Sequence, residues 1–220
     1  MELFYLWGKT DRMGNVVELH HAMVDHYLTI ARDRTSPQQE FRSSLDRLGN
    51  ILAVEMTRNI SGDVIQVDTP LQSTEGFQLQ TMIALVPILR AGLALVDAFV
   101  ELLPISVVMH LGMYRNEETA EPVWYYNKLN EQQTVERALI LDPMLATGGS
   151  VIASIEALRA FGVAQIEVGC IIASPAGIEA VQGFDTEVDL TICKIDERLD
   201  DNCYIRPGLG DAGDRYFGTA

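Results

Sequence analysis

The stretch Ala138 to Gly162, ALILDPMLATGGSVIASIEALRAFG, decides the fold. Four apolar residues, Ala138 to Leu141, have the pattern of a buried strand and end on an acid, Asp142. A short loop from Pro143 to Ser150 follows, carrying Met144, Leu145, Ala146, Thr147, Gly148 and Gly149. Val151, Ile152, Ile155 and Leu158 then recur at helical spacing. A strand, a glycine-bearing loop and a helix N-terminus thus form one continuous piece. Backbone N–H groups exposed at Gly148 and Gly149 can converge on an anion, and the helix terminus adds partial positive charge. The Thr147 and Ser150 hydroxyls can donate as well. Asp142 cannot hold a phosphate, but it can accept hydrogen bonds from sugar hydroxyls. The piece reads as a site for a phosphorylated sugar. It is not a nucleotide P-loop, because Gly149 is followed by Ser150 rather than Lys. A plain strand–turn–helix whose glycines serve only the turn is the alternative.

Outward from this piece, strand-like and helix-like segments alternate. Val16 to Arg32 carries apolar residues at helical spacing. Ser36-Pro37-Gln38-Gln39 predicts a helix start, with Ser36 as N-cap and Gln39 closing a capping box. That helix runs to about Met56 with Phe41, Leu45, Leu48 and Leu52 inward. Strands are predicted at Asp63–Thr69, Met82–Ile88, Ile105–Met113, Ile166–Ala173 and Val188–Ile195. Helices are predicted at Ala91–Leu103 and near Ala176–Gln182, and an aromatic-rich flap or hairpin at Pro122–Leu129. This alternation predicts an α/β domain whose mostly parallel sheet is covered on both faces. Ligands of such sheets bind at the carboxyl ends of the strands, where the loop after Asp142 falls.

Composition narrows the partners. The chain of 220 residues fits one domain, with an N-terminal helical region to about residue 60 and a C-terminal segment from about 203. Sixteen basic against thirty-one acidic residues give a formal charge of −15, which disfavours nucleic acid and anionic membranes. An anionic ligand therefore needs local positive charge at its site. Cys170, Cys193 and Cys203 form neither a CxxC pair nor a zinc spacing. The odd count, with no basic n-region or cleavage pattern in MELFYLWGKTDR, points to a reducing cytoplasm. The apolar patch in that segment is expected to pack on the body or on a neighbouring subunit. His20, His21, His26 and His110 share no metal spacing with acids.

Further residues carry chemistry. Arg90 follows a buried strand in Leu89-Arg90-Ala91-Gly92, and Arg suits bidentate contact with phosphate. Alone it reads more readily as a surface charge, and Arg115 as a partner of Glu117 or Glu118. Gly208 to Asp214, GLGDAGD, holds three glycines and two acids in seven residues. A flexible backbone loop of this kind can match a ring that presents both acceptors and a donor. Tyr125 and Tyr126 could stack on such a ring or pack in a core.

LDPMLATGGS resembles the ribose-phosphate signature of the type I phosphoribosyltransferases, in the version of the uracil phosphoribosyltransferases. VPILRAGLALVDAF (Val86 to Phe99), GMYRNEET (Gly112 to Thr119) and YIRPGLGDAGDRYFGT (Tyr204 to Thr219) resemble that family's pyrophosphate loop, second arginine segment and uracil segment. The resemblance covers the chain from roughly His20 onward. It implies the type I phosphoribosyltransferase fold with a small hood. It also implies transfer of a phosphoribosyl group from 5-phosphoribosyl pyrophosphate (PRPP) to uracil, giving UMP and diphosphate in pyrimidine salvage. It further implies Mg²⁺ held mainly by substrate and water near Asp211, a homodimer or homotetramer, and a GTP effector in some relatives. Carried over residue by residue, PRPP would be met by Arg90, Arg115, Asp142, the loop Pro143 to Ser150 and Asp211. Uracil would be met by Ile205, Gly210, Asp211 and Ala212. Asp211, Arg115 and Asp142 would be the catalytic set. Departures are Pro143 in place of a second acid, as in the uracil branch, and Ala176 where relatives often carry Glu. IDERLDDNC (Ile195 to Cys203) is unusually charged, Arg206 replaces an apolar residue, and Ala220 stands where Lys is usual. A transferase for another base, or a silent ligand-sensing relative, are the rival readings.

Overall fold

The computed structural model describes residues 14–80, 82–115, 122–129 and 135–219. The apolar patch within residues 1–13 therefore lies outside the described residues. The chain opens with β1 (Val16–Glu18), α1 (Ala22–Arg32), α2 (Gln38–Met56), β2 (Gly62–Asp68) and β3 (Ser73–Leu79). It continues through β4 (Ile83–Leu89), α3 (Leu93–Leu102), β5 (Val107–Val108), β6 (Leu111–Arg115) and β7 (Pro122–Asn127). Then come β8 (Arg137–Leu141), β9 (Met144–Leu145), α4 (Gly149–Phe161), β10 (Gln165–Ala173) and α5 (Pro175–Phe184). β11 (Asp189–Ile195), β12 (Arg198–Leu199), β13 (Ile205–Arg206) and α6 (Ala212–Phe217) complete it.

The central sheet runs β1-β11-β10-β8-β4-β6-β7, and every pairing along that path is parallel except β6 with β7. Its central strands β4, β8, β10 and β11 are buried on both faces, so they read as largely continuous apolar runs rather than alternating ones. The alternation shows instead in which core each residue joins. Ile83 and Leu85 of β4, with Leu139 and Leu141 of β8, pack with Phe41, Leu45, Leu52 and Phe99 from α2 and α3. Ala84 and Val86, with Ala138 and Ile140, pack with Val151, Ile155 and Leu158 of α4 and Val181 of α5. Successive side chains pointing to opposite faces account for this division. The α/β class and the two-sided cover are those that the sequence predicts.

Three local expectations are corrected. Val16–Glu18 is a strand, not the first turn of a helix, because it pairs with the edge of β11 and Asn15 N donates to Asp189 Oδ1 at 2.9 Å. The helix starts only after His21, whose Nδ1 accepts from Met23 N at 3.0 Å. Ser36 does not cap α2: its hydroxyl donates back to Ile30 O at 2.7 Å, and Pro37 occupies the cap position without a side-chain bond. Ile105–Met113 is two short strands, β5 and β6, which pair with opposite ends of β4. The strand predicted near Asp63 is half of a hairpin, β2 with β3, whose second strand STEGFQL is too polar to register as apolar periodicity. The flap or hairpin expected at Pro122–Leu129 is borne out as a hairpin strand, β7 (Pro122–Asn127). It lies antiparallel on β6 at the sheet edge, with the Tyr114 and Tyr125 rings stacked at 6.5 Å and both exposed.

Candidate functional site

Three loops meet above the carboxyl ends of β4, β8 and β11. The first follows β4. Gly92 lies so close to the neighbouring strand that a Cβ there would stand 2.3 Å from the Leu141 carbonyl oxygen. That contact presses the Arg90 turn against the end of β8. The Leu89–Arg90 peptide is cis. Arg90 is exposed, and its Nη2 donates to Asp214 Oδ1 at 3.0 Å, across 124 residues of sequence.

The second loop follows β8. Asp142 does not cap α4, since that helix begins at Gly149 with Gly148 as its N-cap. Its carboxylate accepts from Met144 N at 3.2 Å, and no Lys or Arg pairs with it among the described residues. Burial pushes this carboxyl up to about 7, while the Met144 N–H acts in the opposite sense. An acid held this way is ready to take further hydrogen bonds from a ligand. Gly148 sits at φ +85°, a left-handed conformation that turns the chain into the helix. No side chain caps the first turn of α4, so its leading N–H groups remain open toward the loop. The loop is braced from below, where Ser174 Oγ donates to Ala146 O at 2.6 Å and accepts from Gly177 N at 2.9 Å. Pro143 and Leu145 are part of this bracing. The Pro143 carbonyl accepts from Ile171 N and Ile172 N, and the Leu145 side chain lies in the core.

The third loop runs from Asp196 to α6. Asp211 caps α6, accepting from Asp214 N at 2.9 Å. Asp214 in turn is lowered from its ordinary carboxylate value, first by the Thr219 hydroxyl and then by Arg90. Gly208 and Gly210 both take left-handed backbone angles.

Between the second and third loops lies a cavity of about 340 Å³, lined by Met144, Ala146, Ile172, Cys203, Tyr204, Ile205, Leu209, Gly210 and Asp211. The structure thus brings Met144, Ala146, Ile205, Gly210 and Asp211 to one space, with Arg90 and Asp142 on its flanking loops. Ala212 is different: its side chain is buried in the core beside the cavity rather than in its wall. Arg115 ends β6, and its side chain, with residues 116–121, lies outside the described residues.

Arg32, Asp196 and Arg215 hold the third loop from behind; sequence reasoning gave the first two no role and weighed Arg215 only as a solvated turn residue. Asp196 closes β11 just as Asp142 closes β8, so the signal of an acid ending an apolar strand was present twice. Among the described residues no three His, Cys, Asp or Glu side chains cluster as a metal site. Among them, too, no helix is long and apolar enough to cross a membrane.

Comparison with known proteins agrees with this geometry. The family model for uracil phosphoribosyltransferase matches residues 17–219. The chain is 43% identical over 208 residues to the uracil phosphoribosyltransferase of Listeria welshimeri, covering 94% of this chain and 100% of that protein. It is 45% identical over 205 residues to that of Dictyoglomus thermophilum, covering 93% and 99%. A solved protein of Aquifex aeolicus superposes with a TM-score of 0.87 at 34% identity, covering 93% of this chain and 99% of that one. The adenine phosphoribosyltransferase of Trypanosoma brucei, at 12% identity and TM-score 0.54 over 88% of this chain and 90% of that one, shares the fold. The chain belongs to the uracil phosphoribosyltransferase family, and its fold is that of the type I phosphoribosyltransferases.

Proposed function

We propose that this member of the family transfers the phosphoribosyl group of PRPP to uracil, releasing diphosphate and forming UMP. The observation that carries the reading is the shared cavity: its floor is the loop after Asp142 and its wall is the loop around Gly210. A phosphorylated ribose on the first would present its anomeric carbon to a base on the second.

The roles follow from the groups available. The open N–H groups at Gly149 and Ser150, with the Thr147 and Ser150 hydroxyls, receive the 5-phosphate. Asp142 accepts from ribose hydroxyls. Arg90 and Arg115 neutralise the departing diphosphate. Ile205, Gly210 and Ala212 present peptide groups to the uracil edge, whose two carbonyls need donors and whose ring N–H needs an acceptor. Bond breaking at the anomeric carbon leads bond making, so positive charge develops on the ribose, as in glycoside cleavage. Apart from Asp211, which is assigned to the phosphoribosyl substrate, no side chain in the cavity wall is an evident base for the ring nitrogen, so positioning and charge neutralisation supply most of the acceleration.

Mg²⁺ fits the donor set. Asp211 in the cavity wall would offer a carboxylate oxygen, directly or through water, and this cation keeps water and substrate phosphate among its ligands rather than needing a full protein cage. When bound with PRPP it offsets the diphosphate charge, which a protein of net charge −15 would otherwise repel. We extend the reading to a cytoplasmic homo-oligomer active in pyrimidine salvage, with GTP as a possible effector, in line with the family.

The test is diphosphate release by purified protein with Mg²⁺ and PRPP, offered uracil, cytosine, orotate and hypoxanthine in parallel. Turnover with uracil alone is expected. Turnover with another base would overturn the base assignment, and tight PRPP binding without turnover would favour a silent sensor.

A further inference from the structure

We infer that Arg32 and Asp196 are positioning residues for the base, acting through the N–H and C=O of Gly208. The proposal rests on the reading of the third loop as the base site. Asp196 is 5% exposed, and its backbone is fixed to the end of the sheet by Asp196 N donating to Ala173 O at 2.8 Å. Its Oδ2 accepts from Gly208 N at 2.9 Å. Its Oδ1 accepts from Arg32 Nη2 at 2.5 Å, and Arg32 Nη1 reaches Gly208 O at 3.4 Å. One carboxylate and one guanidinium thus hold both the N–H and the C=O of Gly208.

The next carbonyl is held as well. Arg215 Nη1 donates to Leu209 O at 2.6 Å and to Ala31 O at 2.5 Å, and its Nη2 donates to Asp33 O at 2.8 Å. Its guanidinium carbon lies 4.1 Å from the centre of the Phe41 ring. Ala31 and Asp33 stand at the C-terminus of α1, where carbonyls lack helical partners. The corner between α1 and α2 therefore grips the two residues that immediately precede Gly210 and Asp211 in the cavity wall.

A buried ion pair is a poor source of stability, since desolvation offsets much of its attraction, and an apolar replacement often serves as well. What it does impose is one geometry. Peptide groups that read a flat ring by hydrogen bonding must hold their direction closely, and a glycine-rich loop cannot do so unaided. The Arg32–Asp196 pair supplies that direction from outside the loop.

The test uses steady-state kinetics of the full chain, with amide hydrogen exchange and melting measured on the same samples. Asp196→Asn and Arg32→Met are expected to raise KM for uracil about tenfold, the effect of misplacing one good hydrogen bond, with KM for PRPP moved less than about twofold. Arg32→Lys, which keeps a cation beside Asp196, is expected to recover most of the loss. The peptide covering Gly208 to Asp211 is expected to exchange about tenfold faster in Asp196→Asn, as its Gly208 N–H bond opens. Asp185→Asn is the control: it breaks the Arg159 Nε–Asp185 Oδ2 bond of 2.8 Å on the opposite side of the sheet. It is expected to lower the melting temperature without changing KM for uracil. The proposal is overturned if Asp196→Asn leaves KM for uracil or the loop's exchange unchanged. It is equally overturned if both KM values rise together, or if Asp185→Asn raises KM for uracil as much. Should the wild type prefer another base whose KM responds in the same way, the uracil assignment falls and the positioning role stands. Should the wild type turn over no base, the exchange result alone decides.

Discussion

The loop after β8 and the loop before α6 border one cavity, but they are built in opposite ways. The first is local. Asp142, Gly148 and the start of α4 lie within a few residues of one another, and the bracing comes from the adjacent strand β10 and the start of α5. The second is held at long range. Arg32 meets Asp196 across 164 residues, and Arg215 meets Ala31 across 184. The difference teaches where each half of a two-substrate site gets its precision. A phosphate is a compact anion that several converging N–H groups tolerate at many angles. A flat base needs directed donors and acceptors, so its loop is fixed by side chains from the rest of the fold.

The largest expected effect lies where the two loops meet. Asp211→Asn should lower kcat by about a thousandfold, in the range seen when a preorganised electrostatic contact is lost. Asn caps helices as well as Asp does, so α6 and the melting temperature should hold. A variant with near wild-type kcat would reduce Asp211 to the helix cap that the structure shows. Next is Arg90→Ala, expected to raise KM for PRPP about a hundredfold, as for a lost charge-assisted phosphate contact, with little change in KM for uracil. An equal rise in both would show that Arg90 serves mainly to tie down Asp214, joining the two loops rather than serving one.

A smaller effect is expected at Asp142, and it depends on pH. With its carboxyl at about 7 in the folded protein, against an ordinary value of 3.8, the native state holds a proton between those values that the unfolded chain lacks. That proton's contribution to stability is fully present below about pH 4 and is lost as pH rises through about 7. Asp142→Asn removes the cost of the buried charge. Its melting temperature should exceed wild type by a few degrees at pH 8, with the gap closing toward pH 5. Its kcat/KM for PRPP should nevertheless fall about tenfold at pH 8, the effect of one hydrogen-bond acceptor lost to ribose. A variant no more stable than wild type at pH 8 would show that water already solvates the carboxylate, and the first loop would lose its poised acid.

The local loop was legible for the reason it is local. The apolar run, the closing acid, the glycines and the helical spacing are contiguous, so Ala138 to Gly162 predicts its own structure. The buried parallel strands were legible because two-sided burial forces continuous apolar runs at Ile83–Leu89, Gln165–Ala173 and Asp189–Ile195. What escaped was decided by distant partners. Val16–Glu18 has apolar spacing that fits a helix, yet the open edge of β11 recruits it as a strand. Ser36 has the right neighbours for a cap, yet the last turn of α1 takes its hydroxyl. Arg32 carries no local motif, and the acid that closes β11 does not name its partner, which stands 164 residues away.

The smallest expected effect separates the buried anchor from an exposed one beside it. Arg206 donates from Nε to Asp200 Oδ2 at 2.8 Å, so it pairs with one of the acids of the IDERLDDNC stretch. The Arg206 side chain is 56% exposed. Asp200 also accepts from Tyr204 N at 2.9 Å and Asn202 N at 3.0 Å, so the β12–β13 turn keeps its own bonds without the arginine. Exposed pairs contribute about 0–1 kcal/mol. Arg206→Val should therefore leave KM for uracil within about twofold of wild type, in contrast to the neighbouring Asp196. The measurement is the same uracil titration applied to both variants side by side. A tenfold rise in Arg206→Val would mean that the charge pattern of this stretch, not burial of one ion pair, sets the direction of the base loop.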